Sequence, residues 1–178
     1  MTHGILTINA GSSSIKFALF ELNGGLRQKP AVSGQIDGIG ASARLIAKDP
    51  GGKHEVALDL VGGQETQHQA SLNFLLNWLQ ETQKGWSLAA VGHRVVHGGE
   101  LFSAPIAVDR NIVDKLEQFN PLAPLHQPHN LNGIKAIANI LPDVPQVACF
   151  DTAFHRTNPP VAQAFAIPRA LSAEGIKR

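Results

Sequence analysis

Apolar residues in the first third of the chain fall in short runs cut by turn-forming residues, and beyond it they recur at helical spacing. The run Ile5-Leu6-Thr7-Ile8 is apolar and β-branched. It stops at Asn9-Ala10-Gly11-Ser12-Ser13-Ser14, small hydrogen-bonding residues that favour a turn, and a second strand over 15–21 follows. Asn23-Gly24-Gly25 signals another tight turn. Residues 31–36, 43–48 and 54–60 read as three more strands, separated by glycines and by Asp49-Pro50-Gly51-Gly52. An antiparallel meander is the expectation for this part.

The period changes after Val61-Gly62-Gly63, where Leu72, Leu75, Leu76 and Leu79 place a core-facing stripe on a helix over 65–79. Residues 88–95 predict a buried strand. Residues 109–119 predict a helix with Asp109 as N-cap, 129–141 an amphipathic helix closed by Pro142, and 144–150 a further strand. Strands in a meander, then strands alternating with helices, imply an α/β fold: a mixed sheet whose later strands run parallel, with flanking helices. The stretch 159–178, with Pro168 and Gly175, has no strong period and reads as a surface segment; there is no internal repeat.

Composition narrows the function classes more than the fold. The length of 178 residues suits one well-buried domain, since single domains usually run about 100 to 200 residues. With 43% hydrophobic and 16% charged residues the chain reads as a soluble globular protein. A net charge of +1, from 15 basic against 14 acidic residues, argues against a nucleic-acid partner. No run approaches the roughly 18 apolar residues of a membrane span, and Met1-Thr2-His3-Gly4 lacks a basic leader. A cytoplasmic location is the expectation. The single cysteine, Cys149, excludes an internal disulfide, and its place in Val147-Ala148-Cys149-Phe150 predicts a buried core thiol.

Four segments carry candidate chemistry. The turn over 9–16 offers backbone N–H groups and serine hydroxyls to an anion, with Lys16 at its end, or is an ordinary hairpin turn; it lacks the spacing of a Walker A loop. In Gly92-His93-Arg94-Val95-Val96-His97-Gly98-Gly99 the arginine is able to clamp a carboxylate or phosphate through two parallel hydrogen bonds. His93 and His97, four positions apart on a strand, would stand more than about 10 Å from each other, too far to share a metal. His126 sits in the proline-rigid loop before the helix at 129, placed either to donate to a phosphoryl oxygen or to cap that helix. Asp151, in Phe150-Asp151-Thr152-Ala153-Phe154-His155, follows a buried strand, where α/β sheets place catalytic groups, although a turn cap is the alternative.

Together and in this order, Ile8-Asn9-Ala10-Gly11-Ser12-Ser13-Ser14-Ile15-Lys16, His93-Arg94-Val95-Val96-His97-Gly98-Gly99 and Phe150-Asp151-Thr152-Ala153-Phe154-His155 resemble the acetate and propionate kinase family. The resemblance runs over essentially the whole chain. It implies a ribonuclease H-like domain of the actin, sugar kinase and chaperone ATPase type. In that arrangement two related domains close over ATP, residues 1–178 form the amino-terminal domain, and the carboxy-terminal nucleotide-binding domain is absent from this chain. It further implies reversible, direct in-line transfer of the ATP γ-phosphoryl group to acetate with Mg2+, a homodimer when full length, and no activity for these residues alone. Residue by residue, Asn9 would face the metal, and Ser12, Ser14 and Lys16 the phosphates. Arg94 would hold the acceptor carboxylate, with Val96 and Leu125 in its apolar pocket. His126 would approach the transferring group, and Asp151 would act near the metal or orient the acceptor.

Three other readings stand beside this one. A kinase for propionate or another short carboxylate differs by a methylene, which a hydrophobic pocket distinguishes by only about 1 to 3 kcal/mol. A non-catalytic carboxylate- or phosphate-binding module is the second. A histidine-based metallohydrolase is weak, because the eight histidines show no ligand spacing.

Overall fold

The computed structural model describes residues 1–174. Five strands, β1 (Thr2–Ala10), β2 (Ser14–Leu22), β3 (Val32–Asp37), β4 (Arg44–Asp49) and β5 (Gly52–Ala57), form the expected antiparallel meander. The turn from β4 to β5 is fixed by Asp49, whose Oδ1 accepts from the N–H groups of Gly51 and Gly52 at 2.7 and 3.1 Å. Helix α1 (Gln64–Thr82) leads to β6 (Trp86–Val95), which lies parallel to β1 on its free side. Next come β7 (Ile106–Ala107), α2 (Arg110–Glu117), α3 (Gln127–Ile140) and β8 (Gln146–Phe150), the last parallel to β6. The eight strands are ordered β5-β4-β3-β2-β1-β6-β8-β7.

Asp109 caps α2 as its sequence predicts, accepting from Ile112 N–H at 2.7 Å. Helix α3 begins two residues before the predicted 129, with Pro128 in its first turn. The two-residue β7 lies below any periodicity signal. The segment from 159 holds two short helices, α4 (Pro160–Gln163) and α5 (Arg169–Ala173), with no buried residue in either, in line with a surface segment. Residues 175–178, which end that segment, lie outside the described residues.

Alternation along each strand decides which face is core. Leu6, Ile8, Ile15, Phe17 and Val91 point to one face and pack under Leu72, Leu75 and Leu79 of α1 and Ile137 of α3. A second cluster joins Val95, Ala148 and Phe150 to Leu116 of α2 and to Leu131 and Ile134 of α3. The intervening residues Thr7, Asn9, Lys16, Gly92 and Arg94 share the opposite face. Cys149 is there too, paired in register with Arg94 and exposed, which corrects the expectation of a core thiol. The apolar run around it suggested burial on both sides, but only the alternate positions Ala148 and Phe150 are buried.

The glycine pair ending the arginine segment serves packing. Gly99 has φ +58°, and a Cβ there would lie 2.2 Å from the Phe119 ring. Gly99→Ala is expected to lower the unfolding free energy by roughly 1 to 3 kcal/mol, since strain and overpacking add. Urea unfolding with an unchanged midpoint would refute this.

Candidate active site

The hairpin turn joining β1 to β2 is held by one bond of its own and by bonds from the β3–β4 connection and α1. Gly11 N–H donates to Ser14 O at 2.8 Å, and Ile39 N–H to Ser13 O at 3.0 Å. Gln64 and His68, in the first two turns of α1, each place a side-chain nitrogen 2.7 Å from Ser12 O. A carbonyl only accepts, so His68 carries its proton on Nε2. With these carbonyls engaged by the fold, the exposed Ser12 and the half-buried Ser14 stand at the end of the sheet, and Lys16 is exposed opposite Asn9 in the β1–β2 register.

Asn9, Arg94 and Asp151 come from the carboxyl ends of three neighbouring strands, β1, β6 and β8. Arg94 Nε donates to both carboxylate oxygens of Asp151, at 3.1 and 3.0 Å, and its Nη2 donates to Asp151 Oδ2 as well. Arg94 Nη1 reaches Asn9 Oδ1 at 3.3 Å. Asp151 opens a 3-10 turn without capping it; its carboxylate faces the arginine instead. Both side chains of the pair are 45% exposed, so the attraction is screened and adds little to stability. Beside it, a hollow of about 410 Å³ is lined by Asn9, Lys16, Arg94 and Cys149 among others. A larger, mostly apolar hollow at the amino end of β6, near Leu76, Trp86 and Ile140, lacks charged groups and offers no comparable chemistry.

The remaining predicted residues lie just after β6 and just before α3. His126 is exposed at the residue before α3 and makes no capping bond. Leu125 is 74% exposed and Val96 half-buried. His129 stacks on His68 with ring centres 5.8 Å apart, and burial, then the nearby His68 and His126, lowers its pKa. His97 turns toward Phe119 and its Nδ1 accepts from Gly99 N–H at 2.9 Å, away from His93. Among the described residues, no group of three or more His, Cys, Asp or Glu could hold a metal.

His93, next to Arg94 in sequence, points into the core and lies 2.7 Å from the Gln146 carboxamide. Burial lowers its pKa to about 4, the Gln146 bond offsetting part of that shift. The unfolded chain takes up this proton below an ordinary histidine pKa of about 6.5, whereas the folded protein does so only near 4. Stability present at neutral pH is therefore lost as pH falls from about 6.5 toward 4, by up to about 3 kcal/mol from this group. His97 and His129, also lowered, act in the same direction. Urea unfolding at pH 7 and 4.5 checks the slope. His93→Gln should flatten it, and a variant as pH-sensitive as the parent would contradict the assignment.

A meander extended by parallel strands, with helices on one face and convergent polar groups at the strand ends, defines a domain of the actin-like ATPase fold. The chain belongs to the Acetokinase family, matching it over residues 4–178. It is 42% identical to the acetate kinase of Rhodopseudomonas palustris (strain ATCC BAA-98 / CGA009) over 185 residues, covering 100% of this chain and 44% of that protein. Two crystal structures superpose with TM-scores of 0.84 at 34% identity, each covering 99% of this chain and 44% of the other. They are Porphyromonas gingivalis acetate kinase and a propionate kinase from Francisella tularensis subsp. tularensis SCHU S4. The chain thus spans less than half the length of these relatives.

Proposed function

We propose that residues 1–178 are the amino-terminal domain of a two-domain kinase that reversibly moves the γ-phosphoryl group of ATP to acetate, giving acetyl phosphate and ADP. The observation that carries this reading is the meeting of Arg94, Asn9 and Asp151 beside the serine turn. A guanidinium fork suits a carboxylate, and a turn of serines with Lys16 suits phosphate. In the transfer, an acetate oxygen attacks the γ-phosphorus in line, and the bond to the β-phosphate oxygen breaks with its electrons leaving on ADP. The attacking oxygen is already anionic, so no base has to remove a proton and Asp151 acts by charge and orientation.

In this reading Arg94 fixes the acceptor, Val96 and Leu125 pack its methyl group, and Ser12, Ser14 and Lys16 bind phosphate oxygens. His126 donates to the transferring group. The donors near Arg94 suit Mg2+: a hard-oxygen set of one carboxylate, Asp151, and one carboxamide, Asn9, is the sparse kind that ion accepts alongside substrate phosphates. When bound, Mg2+ supplies neutralisation of phosphate charge. Together with the family resemblance, the near-neutral charge and the single cysteine fit a cytoplasmic enzyme, homodimeric at full length, with no nucleic-acid or membrane partner.

Propionate as acceptor is the second reading, favoured by the equal likeness to a propionate kinase structure. An ATP-dependent acyl phosphate assay, trapped with hydroxylamine and run on the complete enzyme with a series of short carboxylates, tests both. Carboxylate binding without turnover would instead mark a binding module.

A further inference from the structure

Strands β1 and β6 stay paired only as far as Ile8 and His93. A further backbone rung would hold them about 4.8 Å apart and close the space at their ends. The next residues, Asn9 and Arg94, nevertheless keep a fixed relation through the 3.3 Å bond from Arg94 Nη1 to Asn9 Oδ1. The two strand ends are spanned by the carboxamide of Asn130, in the first turn of α3. Its Nδ2 donates to Ala10 O at 2.6 Å, and its Oδ1 accepts from Val96 N–H at 3.0 Å.

One donor to one strand and one acceptor from the other is the bonding a backbone peptide supplies in a sheet, here set wider by the length of a side chain. Asn130 is 3% exposed, which leaves little room for water to take its place. Helix α3 is pressed against β1 at the same point, since a Cβ on Gly133 would lie 3.0 Å from that of Ala10. Three residues earlier, the fully buried Gln127 treats the next residue of the arginine segment in the same way. Its Oε1 accepts from His97 N–H at 3.1 Å, while its Nε2 donates to His97 O at 2.9 Å and to Leu116 O at 3.3 Å. Gln127 directly follows His126, so the histidine's backbone is tied to the end of β6 as well.

We propose that Asn130, seconded by Gln127, is a positioning residue for phosphoryl transfer. Its buried carboxamide replaces the missing β1–β6 rung and sets the distance between the serine turn and Arg94. Asn130 touches neither reactant, and the inference rests on the kinase reading given above. A misplacement of about 1 Å between reacting groups is enough to slow a transfer on the order of 10²-fold.

The test uses Asn130→Asp and Asn130→Ala in the complete enzyme. Asp keeps the shape and the acceptor for Val96 N–H but turns an oxygen toward Ala10 O; Ala removes both bonds. The expected result is kcat lower by about 10²-fold, with KM for nucleotide and carboxylate within about threefold, because no contacting group is lost. Amide hydrogen exchange should quicken at Val96 in Asn130→Ala and stay unchanged at Val91. Folded variants with kcat within twofold of wild type would overturn the proposal. So would unfolding of both variants, which marks a purely structural role, or unchanged exchange at Val96. An inactive wild-type enzyme would sink the kinase reading and with it the role of Asn130 in transfer, whereas an active wild type with unimpaired Asn130 variants would sink the positioning role alone.

Discussion

Arg94→Ala in the complete enzyme is expected to lower kcat/KM for the carboxylate by on the order of 10² to 10³, with KM rising and kcat falling together. The residue occupies an outward position on β6 between the buried His93 and Val95, so shortening it removes a half-exposed side chain and leaves the core face of the strand intact. Its partners are within the site: Asp151 along one edge of the guanidinium and Asn9 at Nη1. The loss therefore falls on function. A clamp that both bound the acceptor and aimed it, as proposed for Arg94, would contribute to ground-state affinity and to the transition state, so both constants are expected to move. Arg94→Lys should recover little, because an ammonium is a point charge without the planar fork. Steady-state kinetics with both constants within twofold of wild type would remove Arg94 from the acceptor site.

Asp151→Asn should reduce kcat by on the order of 10²-fold while the thermal transition stays in place. The carboxamide keeps the shape of the side chain and an acceptor for Arg94, but the negative charge is gone. That charge now faces Arg94, and in the proposed reaction it helps place the metal or the acceptor. Because the two side chains are bonded to each other, their effects should not add: the Arg94→Ala/Asp151→Asn double variant is expected to lose less than the two single losses combined. Turnover near normal would refute the role of Asp151. A collapsed thermal transition would assign it to the turn that follows β8.

Why some of this was legible in the sequence and some was not is a matter of range. The meander, the helices over α1 and α2, and the strand carrying Arg94 were all predictable, because alternation, leucine spacing and the Asp109 cap are local signals. Arg94 and Asp151 could be named singly from their residue types and their places on or after a strand, whereas Asn9 entered as part of the turn over 9–16 and its own role only through the family resemblance. The Arg94–Asp151 pairing joins residues 57 apart, and no local pattern records it. Gln64, His68, Gln127 and Asn130 were missed as supports for a related reason. Their partners are backbone groups of distant segments, and a backbone carbonyl has no sequence identity to read. The only available signal was a polar residue on the buried face of a helix, as Gln127 and Asn130 are on α3. Cys149 misled because a short apolar run reads as burial on both faces, while alternation sends this side chain outward beside Arg94.

The order of strands in the sheet also has a kinetic meaning. Strands β1 to β5 pair with their sequence neighbours, so the meander closes only short loops. Its central neighbour β6 arrives after α1, and the contact from Arg94 to Asn9 bridges 85 residues. Loop closure must precede such contacts, which places them late in folding. During synthesis the serine turn is therefore built first on a nearly complete hairpin stack. The arginine can reach it only once β6 has docked, and the aspartate only once β8 has been made, so the residues of the candidate site meet across long loops and not within the early hairpins.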